Sequence, residues 1–218
     1  MPVSAHAQLT ENFESFAALS VSGWVFQNNS NPLGSTSWFQ GNDGVFPAYN
    51  GPNNSYVAAN FNNSSGTGDI SNWMLTPLQT LANGSVFSFF TRGNQADFAD
   101  RLELRMSTSG LSTFVGASTT SVGDFTTLLT TINSTLVPNG YPGDWTQVTA
   151  TVSGLGASTT GRFAFRYFVP DVSVNGDYIG IDAVRYSSST SVVPEPSSMV
   201  LVGAGILALA VMRRRRRA

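Results

Sequence analysis

Hydrophobic and polar residues alternate along Arg101-Leu-Glu-Leu-Arg-Met-Ser107, with Leu102, Leu104 and Met106 on one side and Arg101, Glu103 and Arg105 on the other. A period of two marks a half-buried strand, because successive side chains leave opposite faces of a pleated backbone. The pattern predicts a solvent face for the three charged residues and a cross-strand ion pair for Glu103. Ser85–Phe90 and Arg162–Val169 are mostly apolar and read as more fully buried strands. Trp145–Val152 and Tyr178–Tyr186 add two more, the latter with Ile179, Ile181 and Ala183 on one face. Weaker runs are Asn12–Phe16, Trp24–Gln27, Ser37–Gln40, Tyr56–Asn60, Trp73–Leu75 and Phe125–Ile132. Between them, Asn28–Ser35, Gly41–Asn54 and Asn62–Asp69 are dense in Asn, Ser and Gly. Such residues bond their own backbone or tolerate positive φ, so these stretches read as turns, and Asp100 also reads as a turn residue. No helical period persists ahead of the C-terminal tail. Roughly ten short strands joined by loops predict an all-β fold, a jelly-roll-type β-sandwich over residues 8–186.

The tail breaks that pattern. Pro194 and Pro196 flank Glu195 and hold the chain extended, since proline fixes φ and disfavours helix before it. Met199 to Met212 follows as an uncharged apolar run, and Arg213, Arg214, Arg215, Arg216 and Arg217 close the chain with Ala218. The run makes a helix of about 21 Å against a hydrocarbon core of about 30 Å. With Ser197, Ser198 and snorkelling arginines, residues 197–212 read as a short C-terminal transmembrane helix. The arginine cluster stays cytoplasmic, which puts the sandwich on the far side of the membrane. A buried core helix or a basic amphipathic end is the alternative. Ser187–Val192 is a short linker between the sandwich and this tail.

Ala5-His6-Ala7 before Gln8 has the small-x-small form that signal peptidase cleaves, with Ala5 and Ala7 as the small positions. Met1–Ser4 supplies neither a basic nor an apolar region, so residues 1–7 read as the end of a signal peptide begun upstream. An ordinary N-terminus is the other reading.

Charged residues make up 11% of the chain, well below the usual quarter. Lysine is absent, and residues 8–186 carry six arginines against three Glu and nine Asp, a net charge of −6. That domain has no basic patch to neutralise phosphates, which excludes nucleic acid as a partner. Without cysteine, burial of Phe, Trp and Tyr rather than disulfides must stabilise it. The only histidine is His6. Ser-His-Asp triads, Cys-His pairs and ordinary zinc sites are therefore excluded from the domain. Paired carboxylates remain, so a glycan-active hydrolase stays as an alternative, although no telling pair is visible. Trp38, Phe39, Gln40, Tyr49 and Tyr56 could present rings and amides to a sugar; against this, large aromatics, the four tryptophans included, are usually core.

Val193-Pro194-Glu195-Pro196-Ser-Ser, the apolar run and the arginines together resemble the PEP-CTERM protein-sorting signal of Gram-negative bacteria. The resemblance implies recognition and processing by an exosortase-type transpeptidase. It also implies an inner-membrane intermediate and a final place at the cell surface or in an extracellular matrix, alongside exopolysaccharide and biofilm. A second set of landmarks runs through the domain: Phe13-Glu14, Gly23-Trp24, Ser37-Trp38, Asn72 to Pro77, Leu102 to Gly110 and Tyr178 to Val184. In that order they resemble the choice-of-anchor J family, which is similar to cleaved-adhesin and carbohydrate-binding jelly rolls. The resemblance implies a structural calcium between the first and last strands, with Glu14 and Asp182 at the matching positions. Ala183 stands where the family frequently has a second acid, and Asp43 and Asp69 are further oxygen donors. The competing reading has Glu14 accepting backbone hydrogen bonds and Asp182 facing solvent. The expected protein is an exported, non-catalytic surface or matrix component, adhesive or carbohydrate-binding. A permanently anchored ectodomain is the alternative.

Overall fold

The computed structural model describes residues 7–94 and 97–187. Its strands are β1 (Ala7–Glu11), β2 (Val25–Asn28), β3 (Asn31–Leu33), β4 (Phe39–Gln40), β5 (Val57–Asn60), β6 (Ser64–Leu75) and β7 (Gln79–Leu81). They continue with β8 (Val86–Gly93), β9 (Leu102–Ser107), β10 (Thr127–Ile132), β11 (Thr146–Thr151), β12 (Thr159–Val169) and β13 (Tyr178–Ser187). A single-turn helix α1 (Phe16–Leu19) and a 3₁₀ turn (Phe61–Asn63) are the helical elements among the described residues.

The strands form two antiparallel sheets. One runs β11-β8-β13-β5-β4 with β1 also paired to β13; the other runs β10-β9-β12-β6-β2 with β3 on β6 and β7 on β12. The long strands β13 and β12 are central because their apolar runs can be buried on both faces. The core between the sheets is aromatic. Phe87 meets Phe163 at 4.5 Å between ring centroids, Phe89 meets Phe165 at 4.9 Å, and Tyr186 meets Phe163 at 4.9 Å. Each fully buried ring of this kind contributes about 1.5–3 kcal/mol. This is the expected all-β jelly-roll-type sandwich.

The outer faces differ from expectation. The connection 108–126 between β9 and β10 lies over the second sheet, where Val115 and Phe125 pack on Trp73, Leu75 and Ala164. The alternation in β9 therefore separates two buried faces rather than a buried and a wet one. Glu103 is only 7% exposed and is bonded to Arg105 at 2.7 Å and to Arg166 of β12 at 3.1 Å. Arg101 is half-buried, donating to the Phe168 carbonyl at 2.9 Å. The connection 41–56 covers the first sheet in the same way: Phe46 and Tyr56 pack on Ala58 and Tyr178.

Local departures have local causes. Asn12–Phe16 is not a strand, since β1 ends at Glu11 and Phe13 turns the chain with φ +53°. Ser64–Asp69, read as turn, is the first half of β6, where pairing to β3 overrides the Ser/Gly composition. Asp100 is buried rather than a surface turn residue: its Oδ1 accepts the Tyr167 hydroxyl at 2.5 Å and the Asp177 N–H at 2.8 Å. In β13 the register against β8 slips between Asp182 and Arg185. Ile179, Ile181, Val184 and Tyr186 consequently reach the core, and Ala183 occupies the bulge.

Ala5 and residues 188–218, with the Val193–Pro196 motif, the 197–212 helix and the arginine cluster, lie outside the described residues. Ala7 opens β1. Among the described residues no helix is long and apolar enough to cross a membrane.

Candidate functional site

Glu14 and Asp182, far apart in sequence, are drawn to one loop. Asp182 points from β13 beneath the 41–56 connection and is fully buried. Its Oδ2 accepts the Asn50 N–H at 2.9 Å, and its Oδ1 accepts the Ala183 N–H at 2.5 Å. Burial raises its carboxyl to about 6, opposed by N–H bonds from Asn50, Ala183 and Tyr49. The bulge at Ala183 (φ +49°) makes the second of these contacts, turning the backbone N–H back onto the preceding side chain.

Glu14 follows the left-handed Phe13, whose ring is anchored on Trp24 at 5.4 Å. Gln40 clamps the segment: its amide donates to the Phe13 carbonyl at 2.8 Å and accepts the Phe16 N–H at 2.7 Å. The Glu14 carboxylate then reaches the corner at Gly51. That glycine has φ +88°, and a β-carbon there would stand 3.9 Å from Glu14 Oε1 and 3.4 Å from Ser55 Oγ. Ser55 is fully buried, and its hydroxyl has no hydrogen-bond partner. A carboxylate and an orphaned hydroxyl thus share the Gly51 corner, while the adjacent residue, Asn50, holds Asp182.

This is hard-oxygen chemistry of the type calcium takes. Two acids balance a divalent charge, and a metal would give the Ser55 oxygen a partner, so the residues fit the ion. They fit it economically: among the described residues no group of three His, Cys, Asp or Glu side chains converges. Ala183 contributes only its N–H. Asp43 is exposed, and Asp69 accepts the Asp171 N–H at 3.0 Å.

Other acids serve structure. In Glu103, burial alone would raise the carboxyl. The Arg105 hydrogen bond, with the charges of Arg166 and Arg105, outweighs it and holds Glu103 below the usual range. Arg166 is itself lowered to about 10 because burial outweighs Glu103, and both stay charged at neutral pH. Asp100 is raised to about 6 by burial, but its Oδ1 is occupied by Tyr167 and Asp177.

Of the aromatic candidates for a sugar, Trp38 and Tyr56 are core and offer no ring face, as are Trp24 and Trp73. Trp145 is half-buried and donates to the Pro47 carbonyl at 2.9 Å, and Tyr49 stacks on Phe90 at 3.6 Å. Two rings that no sequence pattern singles out, Phe61 and Phe98, are each 46% exposed beside Asp177.

Comparison with known proteins matches residues 192–217 to the PEP-CTERM protein-sorting motif. A search of the curated proteins finds no match by sequence. The fold is similar to the K1 cleaved adhesin domain of Lys-gingipain from Porphyromonas gingivalis W83, at 22% identity and TM-score 0.56, covering 83% of this chain and 98% of that one. The K3 cleaved adhesin domain of the same protein is similar at 19% identity and TM-score 0.54, covering 84% and 100%.

Proposed function

We propose that this chain is a surface or extracellular-matrix component whose β-sandwich is a non-catalytic adhesive module associated with exopolysaccharide. Its PEP-CTERM sorting motif implies export and a membrane-associated sorting intermediate. The observation that carries this reading is the joining of that motif to a cleaved-adhesin-type sandwich in one chain. Residues 1–7 then belong to the export signal, 8–186 to the module of choice-of-anchor J type, 187–192 to the linker and 193–218 to the sorting signal. Exosortase is the processing partner, with Val193–Pro196 as its motif and Arg213–Arg217 as the stop to transfer.

The buried acids support the non-catalytic reading. Glu103 is held ionised between arginines, the reverse of a general acid, and Asp100 is closed off beneath Tyr167. Glu14 and Asp182, with the Ser55 hydroxyl, would hold a structural calcium. The ion would supply charge compensation at the loop, tying the 49–55 segment to β13.

Mass-spectrometric mapping of the C-terminus in membrane and matrix fractions of the host tests the sorting. A matrix form ending near Pro194–Ser198 is expected. An intact Arg213–Arg217 tail found only in membranes would make the protein a permanent anchor.

A further inference from the structure

Three connections meet where β5, β8 and β12 end and β13 begins: the 3₁₀ turn Phe61–Asn63, residues 97–101, and residues 170–177. Backbone bonds lock them together. The Phe61 N–H donates to the Asp177 carbonyl at 2.9 Å, and the Gly176 N–H donates to the Ala99 carbonyl at 2.8 Å. The Asp177 N–H donates to Asp100 at 2.8 Å, and the Val172 N–H to the Gly68 carbonyl at 2.9 Å. Gly176 has φ +83°, and a β-carbon there would lie 3.2 Å from the Tyr167 hydroxyl. The result is a fixed cavity of about 330 Å³ between Phe61, Phe98, Val172 and Asp177. Ligand pockets begin near that size, about 300 Å³.

Its lining asks for a particular chemistry. Both phenylalanine rings are half exposed, and neither stacks on another ring among the described residues. Asp177 is half-buried in the wall of the same cavity, where its carboxylate offers an acceptor to a donor on a ligand. Burial raises that carboxyl, against a bond from Asn94. A second hollow of about 520 Å³ shares Phe61 and Val172 and is edged by Asn62 and Ser65. A ligand matched to this groove has flat C–H faces for the rings and hydroxyl donors for the carboxylate, repeated along a chain. Lipid tails satisfy the rings alone. Acidic polymers meet Asp177 and a domain of net charge −6 that contains no lysine.

We propose that this groove binds a neutral glycan chain, with one pyranose between Phe61 and Phe98 donating a hydroxyl to Asp177 and the next unit in the Asn62/Ser65 hollow. The proposal rests on the reading of the protein as a partner of polysaccharide, and it moves the sugar site away from Trp38, Tyr49 and Tyr56.

The test is affinity electrophoresis and calorimetry of the full chain in mild detergent, with dextran, mannan, xylan and galactan as neutral probes and alginate as the acidic one. At least one neutral probe is expected to bind and alginate is not. Phe61→Ala and Phe98→Ala should each weaken binding about tenfold. Asp177→Asn should weaken it while leaving both rings in place. Melting curves confirm that each variant folds. Undiminished binding by the Phe61→Ala/Phe98→Ala double variant overturns the groove but leaves the polysaccharide reading standing. No binding of any probe by the unaltered chain overturns that reading and the groove together. Tighter binding of alginate overturns the neutral assignment. Self-association that the double variant abolishes would make the groove a contact between copies and overturn the glycan.

Discussion

Two carboxylates lie under loops on opposite outer faces of the sandwich, and their chemistry diverges. Glu103, beneath 108–126, is held below the usual range despite its burial, because two guanidinium groups reach it. Asp182, beneath 41–56, is raised to about 6, because it receives backbone N–H groups while Arg185 acts on it only weakly. Burial is similar in the two cases, so the neighbours decide the sign. The face over the second sheet is electrically closed. The face over the first sheet leaves a carboxylate compensated mainly by dipoles, which is where a cation has something to gain.

Breaking the closed face should produce the largest effect. Arg166 is nearly fully buried; it lies over Phe168 at 3.6 Å and Trp73 at 5.0 Å, with further bonds to the Ser71 hydroxyl and the Thr119 carbonyl. Glu103→Ala leaves that guanidinium without its counter-charge, at a cost of about 3–5 kcal/mol in urea unfolding. A Glu103→Leu/Arg166→Met double variant should regain most of the loss, since packing can replace a buried pair. Asp182→Asn should cost less, about 1–2 kcal/mol, by setting an amide donor against one N–H. Equal losses from Glu103→Ala and Asp182→Asn would erase the distinction between the faces.

The pH dependence of unfolding sharpens the same contrast between paired and unpaired acids. Asp100 belongs with the unpaired acids: burial raises it from 3.8 to about 6. Its folded form keeps a proton that the unfolded chain releases near pH 4. Stability from this group is therefore complete below about pH 4 and is lost as pH rises through 6. The gap is worth at most about 3 kcal/mol. Glu103 acts oppositely, its contribution falling away as pH drops through its lowered value. The unaltered chain should be more stable at pH 5 than at pH 8, and Asp100→Asn should flatten that slope. A slope unchanged by the substitution would remove Asp100 from the account.

What the sequence revealed follows from how local each feature is. β9 and the first half of β13 were legible because a repeat of two residues records one strand's own geometry, and β8 and β12 because their runs are mostly apolar. The fate of Glu103 was not, because alternation identifies two faces without saying that residues 108–126 return to cover the outer one. The inward turn of Val184 depends on a one-residue bulge, which reverses parity without any compositional mark. β3 and the start of β6 are Asn-, Ser- and Gly-rich, and pairing rather than propensity makes them strands. Glu14 and Asp182 came from position within a family resemblance, and the structure adds the orphaned Ser55 hydroxyl that neither residue could announce. Phe61 and Phe98 are isolated rings in loops, with no period to reveal that three connections bring them together.

The smallest effect bears most directly on the open face. If calcium occupies the Glu14/Asp182 corner, it binds the folded chain alone and raises stability by RT ln(1 + [Ca²⁺]/Kd). With only two carboxylates the site belongs in the weak range of extracellular modules, a Kd of about 10⁻⁴–10⁻³ M. Calcium at ten times Kd then adds about 1.4 kcal/mol, which for a domain of this size lifts the melting temperature by roughly 3–5 °C. Chelation should reverse the rise. Magnesium should give less, because it demands tight octahedral geometry and sheds water reluctantly. Asp182→Asn and Glu14→Gln should each abolish the calcium increment, while Glu103→Gln, across the sandwich, should lower the baseline and leave the increment intact. A melting temperature indifferent to both calcium and chelator would mean that the open face, like the closed one, is complete with its own hydrogen bonds.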